Sequence, residues 1–334
     1  MPMLLVLMSL CWPQILMAQW FEQEQAIMGT SVRVELWSED PAQAQDAIAA
    51  VMAEMRHVDA LMSPLKSDSE LALINREADK NPVIISKELF QLIQRAQSVS
   101  DLTHGVFDIS FASVGYLYDY RKGIHPSAAQ IKKHLPAVNY RAIKLDNKTR
   151  SLFFSLPGMR IDLGGIAKGY AVDQAIHLLQ QRGIRHALVS AGGDSQLLGD
   201  RRGRPWIIGI RNPRDTPKHS LKEKARTSPV VLPLADIAIS TSGDYERYFI
   251  RDGVRYHHII NTRTGRSARA SESATVIGPD ATMTDALSTS VFILGAEKGI
   301  ALINRLPGFD AVVIDAKGRL FYSDGLMPPK TGEK

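Results

Sequence analysis

One segment constrains this chain more than any other. In Asp162-Leu-Gly-Gly-Ile-Ala-Lys-Gly169 an apolar strand ends, passes through paired glycines and restarts as a helix. The strand is expected over Met159–Leu163 and the helix from about Ile166 to Gln181, ended by Gly183. A unit of that kind belongs to a fold in which sheet and helix interleave. A distant segment, Thr284-Asp-Ala-Leu-Ser-Thr289, places a carboxylate and a hydroxyl four residues apart, hence on one helix face. Together the two segments can hold a metal and a phosphate. Oxygen ligands without His or Cys around them suit a hard ion that shares substrate phosphates, so Mg²⁺ is the first candidate.

The same alternation runs through the rest of the chain. Ala26–Leu36 has strand periodicity, Pro41–Leu61 has helical spacing through Ala44, Ala47, Ile48, Val51, Met55 and Val58, and Ser86 caps an amphipathic helix reaching Asp101. Met62–Leu71 reads as a polar turn closing into a short helix, and Thr103–Ser110 as a loop running into a strand. Further strands are expected at 142–145, 152–156, 187–190, 206–211, 230–239, 256–260, 273–277 and 311–314, with an exposed polar loop over 213–228. No Pro/Gly/Ser linker divides the chain, so the expectation is a single mixed α/β (α+β) domain with interleaved strands and helices, over 19–334.

The first 18 residues are apolar and uncharged but too short to span a bilayer comfortably, and read as a secretory signal cleaved after Ala18. Cys11, the only cysteine, falls within them, so a mature chain would contain no thiol for disulfides or thiolate metal sites. Net charge is +5, yet the basic residues are scattered, with Arg201-Arg202-Gly-Arg204 and Lys222-Glu-Lys-Ala-Arg226 the local concentrations. That argues against a nucleic-acid surface and suits anionic small molecules.

Eight short motifs occur in order: Met28-Gly-Thr30, Ser69-Glu-Leu71, Gly105-Val-Phe-Asp108, Asp162–Gly169, Ser190-Ala-Gly-Gly-Asp194, Ser242-Gly-Asp-Tyr245, His258-Ile-Ile-Asn-Thr-Arg-Thr-Gly265 and Asp285–Thr289. In this order, over about residues 26–325, they resemble the ApbE-like family of FAD:protein FMN transferases. The resemblance implies an exported, Mg²⁺-dependent enzyme that splits FAD, joins the FMN half to a Ser or Thr of a target protein and releases AMP. It further implies a periplasmic location, or one attached to the periplasmic side of the inner membrane, and a membrane-associated redox protein as target. As a metal ligand it adds the backbone carbonyl of Gly165 to Asp285 and Thr289. As FAD contacts it implies Met28, Val106, Phe107, Asp108, Asp162, Lys168 and Ile260, with Leu65 standing where the family often has an aromatic residue.

The residues themselves carry part of this chemistry. Attack of a hydroxyl on a pyrophosphate needs charge neutralisation at the phosphates and a base for the hydroxyl proton. Lys168 can face a phosphate, and Gly164, Gly165 and Gly169 allow close backbone approach to a ligand. Asp162 can accept hydrogen bonds from a nucleotide or cap the turn that follows. His258 is the candidate base, and His257 the competing one, alternation sending it to the opposite face of a strand. Asp285 and Thr289 have plainer readings as a helix N-terminal carboxylate and a core threonine. Ser242–Tyr245 serves the site or is a surface turn. An FAD pyrophosphatase and a non-catalytic FAD-binding protein remain alternatives, because transfer and hydrolysis differ only in which hydroxyl attacks.

Overall fold

A computed structural model describes residues 19–214 and 230–327. The expected signal segment lies outside the described residues, as does most of the expected polar loop over 213–228. The framework is a sheet of eight strands, Gln19–Ile27, Thr30–Ser38, Ala187–Ala191, Asp194–Leu198, Ala238–Gly243, Ser271–Gly278, Asp310–Asp315 and Leu320–Tyr322. They lie side by side in the order in which the chain makes them, each antiparallel to its neighbours.

The register sorts the side chains onto two faces. Val32, Val34 and Leu36 pair with Ala191, Val189 and Ala187, and this fully buried set packs with the helices Pro41–Met62 and Ala167–Gln181. Further along the same face, Ala274, Val276, Ala311 and Val313 pack with Leu287 and Val291 of the helix Ala281–Leu294. The opposite face carries Leu188 and Leu197, covered by Trp20 and by the two-stranded hairpin Trp206–Ile210/Val230–Leu234. Among the described residues no helix is long and apolar enough to cross a membrane.

The helices follow the apolar spacing and their caps. Asp40 accepts from Ala42 N at the start of Pro41–Met62, and Ser86 from Leu89 N at the start of Lys87–Leu102, burying Leu89, Phe90, Leu92 and Ile93 as the periodicity predicts. Five strand expectations change, the first being 256–260, which divides between Val254–His257 and Ile260–Asn261 because the two halves pair with different strands, Tyr248–Arg251 and Arg266–Ser267. Ala26–Leu36 is not one strand, because Met28 and Gly29 both take positive φ (56° and 69°) and fold it into a two-residue hairpin pairing Ile27 with Thr30. Val230–Ile239 breaks into two strands at Asp236 (φ 50°), whose carboxylate accepts from Gly199 N. After Gly105 the chain forms a 3-10 turn, Ile109–Phe111, because Asp108 caps Ser110 N instead of letting a strand begin. Met159–Leu163 is extended but joins no ladder, since Asn75 both donates to Ile161 O (2.9 Å) and accepts from Ile161 N (2.8 Å).

Candidate active site

The glycine turn delivers Lys168 at the start of the helix Ala167–Gln181, and the helix Ala281–Leu294 delivers Asp285 and Thr289 against it. That second helix is fixed at its N-terminus by carboxylates: Asp280 accepts from Met283 N, and Asp173 accepts from Ala281 N (2.7 Å) and Thr282 N (2.9 Å). Its polar face then follows the sheet. Ser240 bonds Thr284 Oγ1 at 2.8 Å, and Ser242 bonds Ser288 Oγ at 2.9 Å and Thr289 Oγ1 at 3.1 Å.

The two helices touch backbone to backbone at Gly169. A Cβ there would overlap the carbonyl oxygen of Ala281 and lie 2.6 Å from its carbon and 2.9 Å from Asp285 Cβ. Gly169 therefore admits a neighbouring helix rather than a ligand, a correction to the expectation. Its N–H donates to Asp285 Oδ2 (3.1 Å) instead of turning back to the Gly165 carbonyl, four residues earlier. Among the described residues nothing donates to that carbonyl, and Gly165 lies next to Thr289: a Cβ built on Gly165 would lie 3.4 Å from Thr289 Oγ1. A buried carboxylate, a hydroxyl and a free carbonyl, with no sulfur or imidazole among them, fit a hard divalent cation.

Lys168 does not reach freely into the cleft. Its ammonium lies 2.7 Å from Asp194 Oδ2, 3.1 Å from Gly164 O and 3.3 Å from Asp285 Oδ2. Burial works against its charge, but the two carboxylates outweigh burial and hold it protonated beyond the ordinary lysine range. Asp285, 3% exposed, is pushed up by burial and by the Asp194 charge, with Lys168 and the Gly169 amide pulling the other way. Asp162 caps the turn through Gly164 N (2.6 Å), and burial raises its carboxyl against the pull of that amide and of the charges on Arg247 and Lys168.

His257 ends the strand Val254–His257, and His258 follows it outside any ladder. His257 is buried edge-on to Phe292, bonds Ala268 O through Nε2 (2.7 Å) and accepts from Ile259 N at Nδ1 (3.3 Å), a neutral ring with both nitrogens used. His258 is half-buried, and its Nδ1 is enclosed without a hydrogen-bond partner, while its main-chain N–H donates to Arg247 O (3.1 Å). Burial, then the charges of Arg247, His257 and Lys168, push the His258 imidazole down to about 3, so the ring is neutral.

The other predicted contacts divide. Phe107 is buried with its ring edge 3.4 Å from the Cβ position of Gly165, beside buried Val106, and Thr262 Oγ1 donates to Gly105 O (2.8 Å), tying this turn to the His258 loop. Met28 sits in the hairpin turn, where Gly29 faces the Arg247 guanidinium. Asp108 accepts from Ser110 N and Ser110 Oγ at Oδ1 and from Tyr140 N at Oδ2. The Ile260 side chain packs with Val114, Tyr118 and Ile131, which leaves its backbone as the part open to a ligand. Leu65 is 87% exposed on a loop and packs with nothing in the cluster. Of the two readings of Ser242–Tyr245, Ser242 takes the one that serves the site, through Thr289; the sequence did not mark Asp194 and Arg247 as site residues, although Asp194 follows a paired-glycine turn.

The ApbE family model matches residues 28–313, nearly the whole described chain. The chain belongs to the ApbE family. Relatives carry the same family across most of its length. A Treponema pallidum FAD:protein FMN transferase is 31% identical over 92% of this chain and 88% of its own, and a Klebsiella pneumoniae FAD:protein FMN transferase is 33% identical over 86% and 87%. The ApbE protein of Thermotoga maritima superposes with a TM-score of 0.83 at 32% identity, covering 92% of this chain and 98% of its own. The ApbE fold is thus the mixed α and β single-domain architecture expected from the motif order.

Proposed function

We propose that this ApbE-family chain transfers the FMN half of FAD to a Ser or Thr hydroxyl of a target protein and releases AMP. The observation that carries the reading is the oxygen set of Asp285, Thr289 Oγ1 and the Gly165 carbonyl, left free by the diversion of the Gly169 N–H, together with His258, a neutral imidazole on a neighbouring loop. The transferase names of relatives matched over most of the chain support transfer over hydrolysis.

In this reading the acceptor hydroxyl oxygen attacks the flavin-side phosphorus. The bond from that phosphorus to the bridging oxygen breaks, AMP leaves with the bridging oxygen, and the hydroxyl proton passes to His258. Asp285, Thr289 and the Gly165 carbonyl would hold Mg²⁺, which neutralises charge on the pyrophosphate. Phe107, beside Gly165, and the Met28 turn, beside Arg247, would contact the dinucleotide, and Asp162, beside the glycine turn, would offer it a carboxylate. Export to the periplasm and a membrane-associated redox target belong to the same proposal, supported by the apolar N-terminal segment and by the resemblance.

Incubation with FAD, Mg²⁺ and a Ser/Thr-containing acceptor tests it. Covalent flavin on the acceptor is the expected result. Free FMN and AMP without labelled acceptor would make the protein a pyrophosphatase, and unchanged FAD a binding protein.

A further inference from the structure

Lys168 stands between two buried carboxylates on different elements, and only one of them belongs to the metal set. Asp285 rides on a helix. Asp194, 2% exposed, is the first residue of a strand clamped on both sides, opposite Ala191 on one neighbour and Ser240 on the other. Gly193 before it is packed so tightly that a Cβ would strike the Thr241 carbonyl, and Thr241 N donates back to Gly193 O at 2.9 Å. The Asp194 carboxylate therefore cannot follow a moving partner. The Lys168 ammonium forms an ion pair with Asp194 Oδ2 at 2.7 Å and donates to Gly164 O at 3.1 Å and to Asp285 at 3.3–3.4 Å, so the carboxylate closest to its charge is Asp194.

We propose that Asp194 is a positioning residue: it ties the Lys168 ammonium back to the sheet, so that the Asp285 carboxylate is released to take the divalent cation while the lysine stays charged beside the phosphates. Without Asp194 the ammonium has one carboxylate left within reach, and it occupies the oxygens the cation needs. Asp194 also gives the pair of carboxylates and one lysine a net negative charge that favours a cation. The inference rests on the metal assignment made under the proposed function and adds to it a residue that touches neither metal nor flavin.

The test is Mg²⁺ affinity measured by calorimetry on the full chain with no FAD and no acceptor. Asp194→Asn keeps the shape and removes the charge; it is expected to weaken Mg²⁺ binding at least tenfold, with thermal stability and circular dichroism confirming the fold. Lys168→Met separates tethering from simple charge. If the untethered lysine competes for Asp285, Lys168→Met strengthens Mg²⁺ binding by a larger factor in the Asp194→Asn background than in the wild type. Equal factors in the two backgrounds, or unchanged affinity in Asp194→Asn, overturn the tether. Should Asp194→Asn not fold, Asp194→Ser, which leaves a hydroxyl and room for a water, takes its place with the same expected loss. Absence of Mg²⁺ binding by the wild type refutes the metal assignment itself and the tether with it, which distinguishes that failure from the others.

Discussion

Gly169→Ala is the substitution whose consequence can be worked furthest from the coordinates. The added methyl would overlap the Ala281 carbonyl oxygen and stand 2.6 Å from the carbonyl carbon and 2.9 Å from Asp285 Cβ, where ordinary contact begins near 3.4 Å. Backbone cannot swing aside like a side-chain tip, so the two helices must part by most of an ångström. Overpacking of this kind costs ~1–3 kcal/mol. The Gly169 N–H to Asp285 bond, now 3.1 Å, stretches past bonding distance, and loss of a buried bond to a carboxylate costs a further ~1.5–3 kcal/mol. Alanine returns ~1 kcal/mol of helix propensity. The net is a loss of ~1.5–5 kcal/mol, a fall in Tm of a few degrees or more for a chain of this size. Because the same displacement moves Asp285, Mg²⁺ affinity should fall together with stability. Urea unfolding followed by tryptophan fluorescence, with Mg²⁺ titration of the surviving fold, reads both. A Gly169→Ala protein with wild-type midpoint and wild-type Mg²⁺ affinity would refute the claim that this glycine exists for helix contact.

His258→Asn should lower transfer by about 10² to 10⁴-fold while FAD binding persists; His257→Asn should instead lower Tm, because it empties a packed contact with Phe292 and the bond to Ala268 O. The free-enzyme pH profile should show no acid limb from His258 near the ordinary imidazole value of ~6.5. Its folded value, about 3, lies far below that, so the base stays unprotonated until strongly acid pH; a kcat/KM falling through pH 6.5 that flattens in His258→Asn would contradict this. Both histidines bind fewer protons folded than unfolded, so stability is complete above the unfolded value and declines as pH drops through it toward the folded one, a slope that unfolding at a series of pH values should show reduced in His258→Asn. Asp285→Asn should abolish transfer at low Mg²⁺ and Thr289→Val should raise the Mg²⁺ requirement more mildly, a water replacing one neutral ligand.

What the sequence displayed well was whatever depends on neighbours in the chain. The spacing of Ala44, Val51 and Val58, the cap at Ser86 and the i and i+4 placement of Asp285 and Thr289 on one helix all survive, because local geometry alone decides them. What it hid depends on partners far away. Nothing near Met159–Leu163 announces that Asn75 will take its backbone bonds, and Gly169 looks like every glycine of a phosphate loop until the helix Ala281–Leu294 is seen against it. Asp194 and Arg247 escaped for the same reason: their importance comes from Lys168 and from the His258 main chain, not from their own neighbours. The two-residue hairpin at Met28-Gly29 was readable in principle from its glycine, but alternation on both sides conceals a turn whose loop is so short.

The order of strands in the sheet has a kinetic consequence. Residues 187–198, 238–243, 271–278 and 310–322 zip neighbour to neighbour, whereas the hairpin 19–38 can join only when residue 33 finds residue 190 across all the intervening chain. Closing so long a loop is the slow entropic step, so the C-terminal block should gain hydrogen-exchange protection during refolding before the N-terminal hairpin docks. The Met28 turn rides on that hairpin. The candidate site would then be completed by a hairpin made before the rest of the sheet and docked after it.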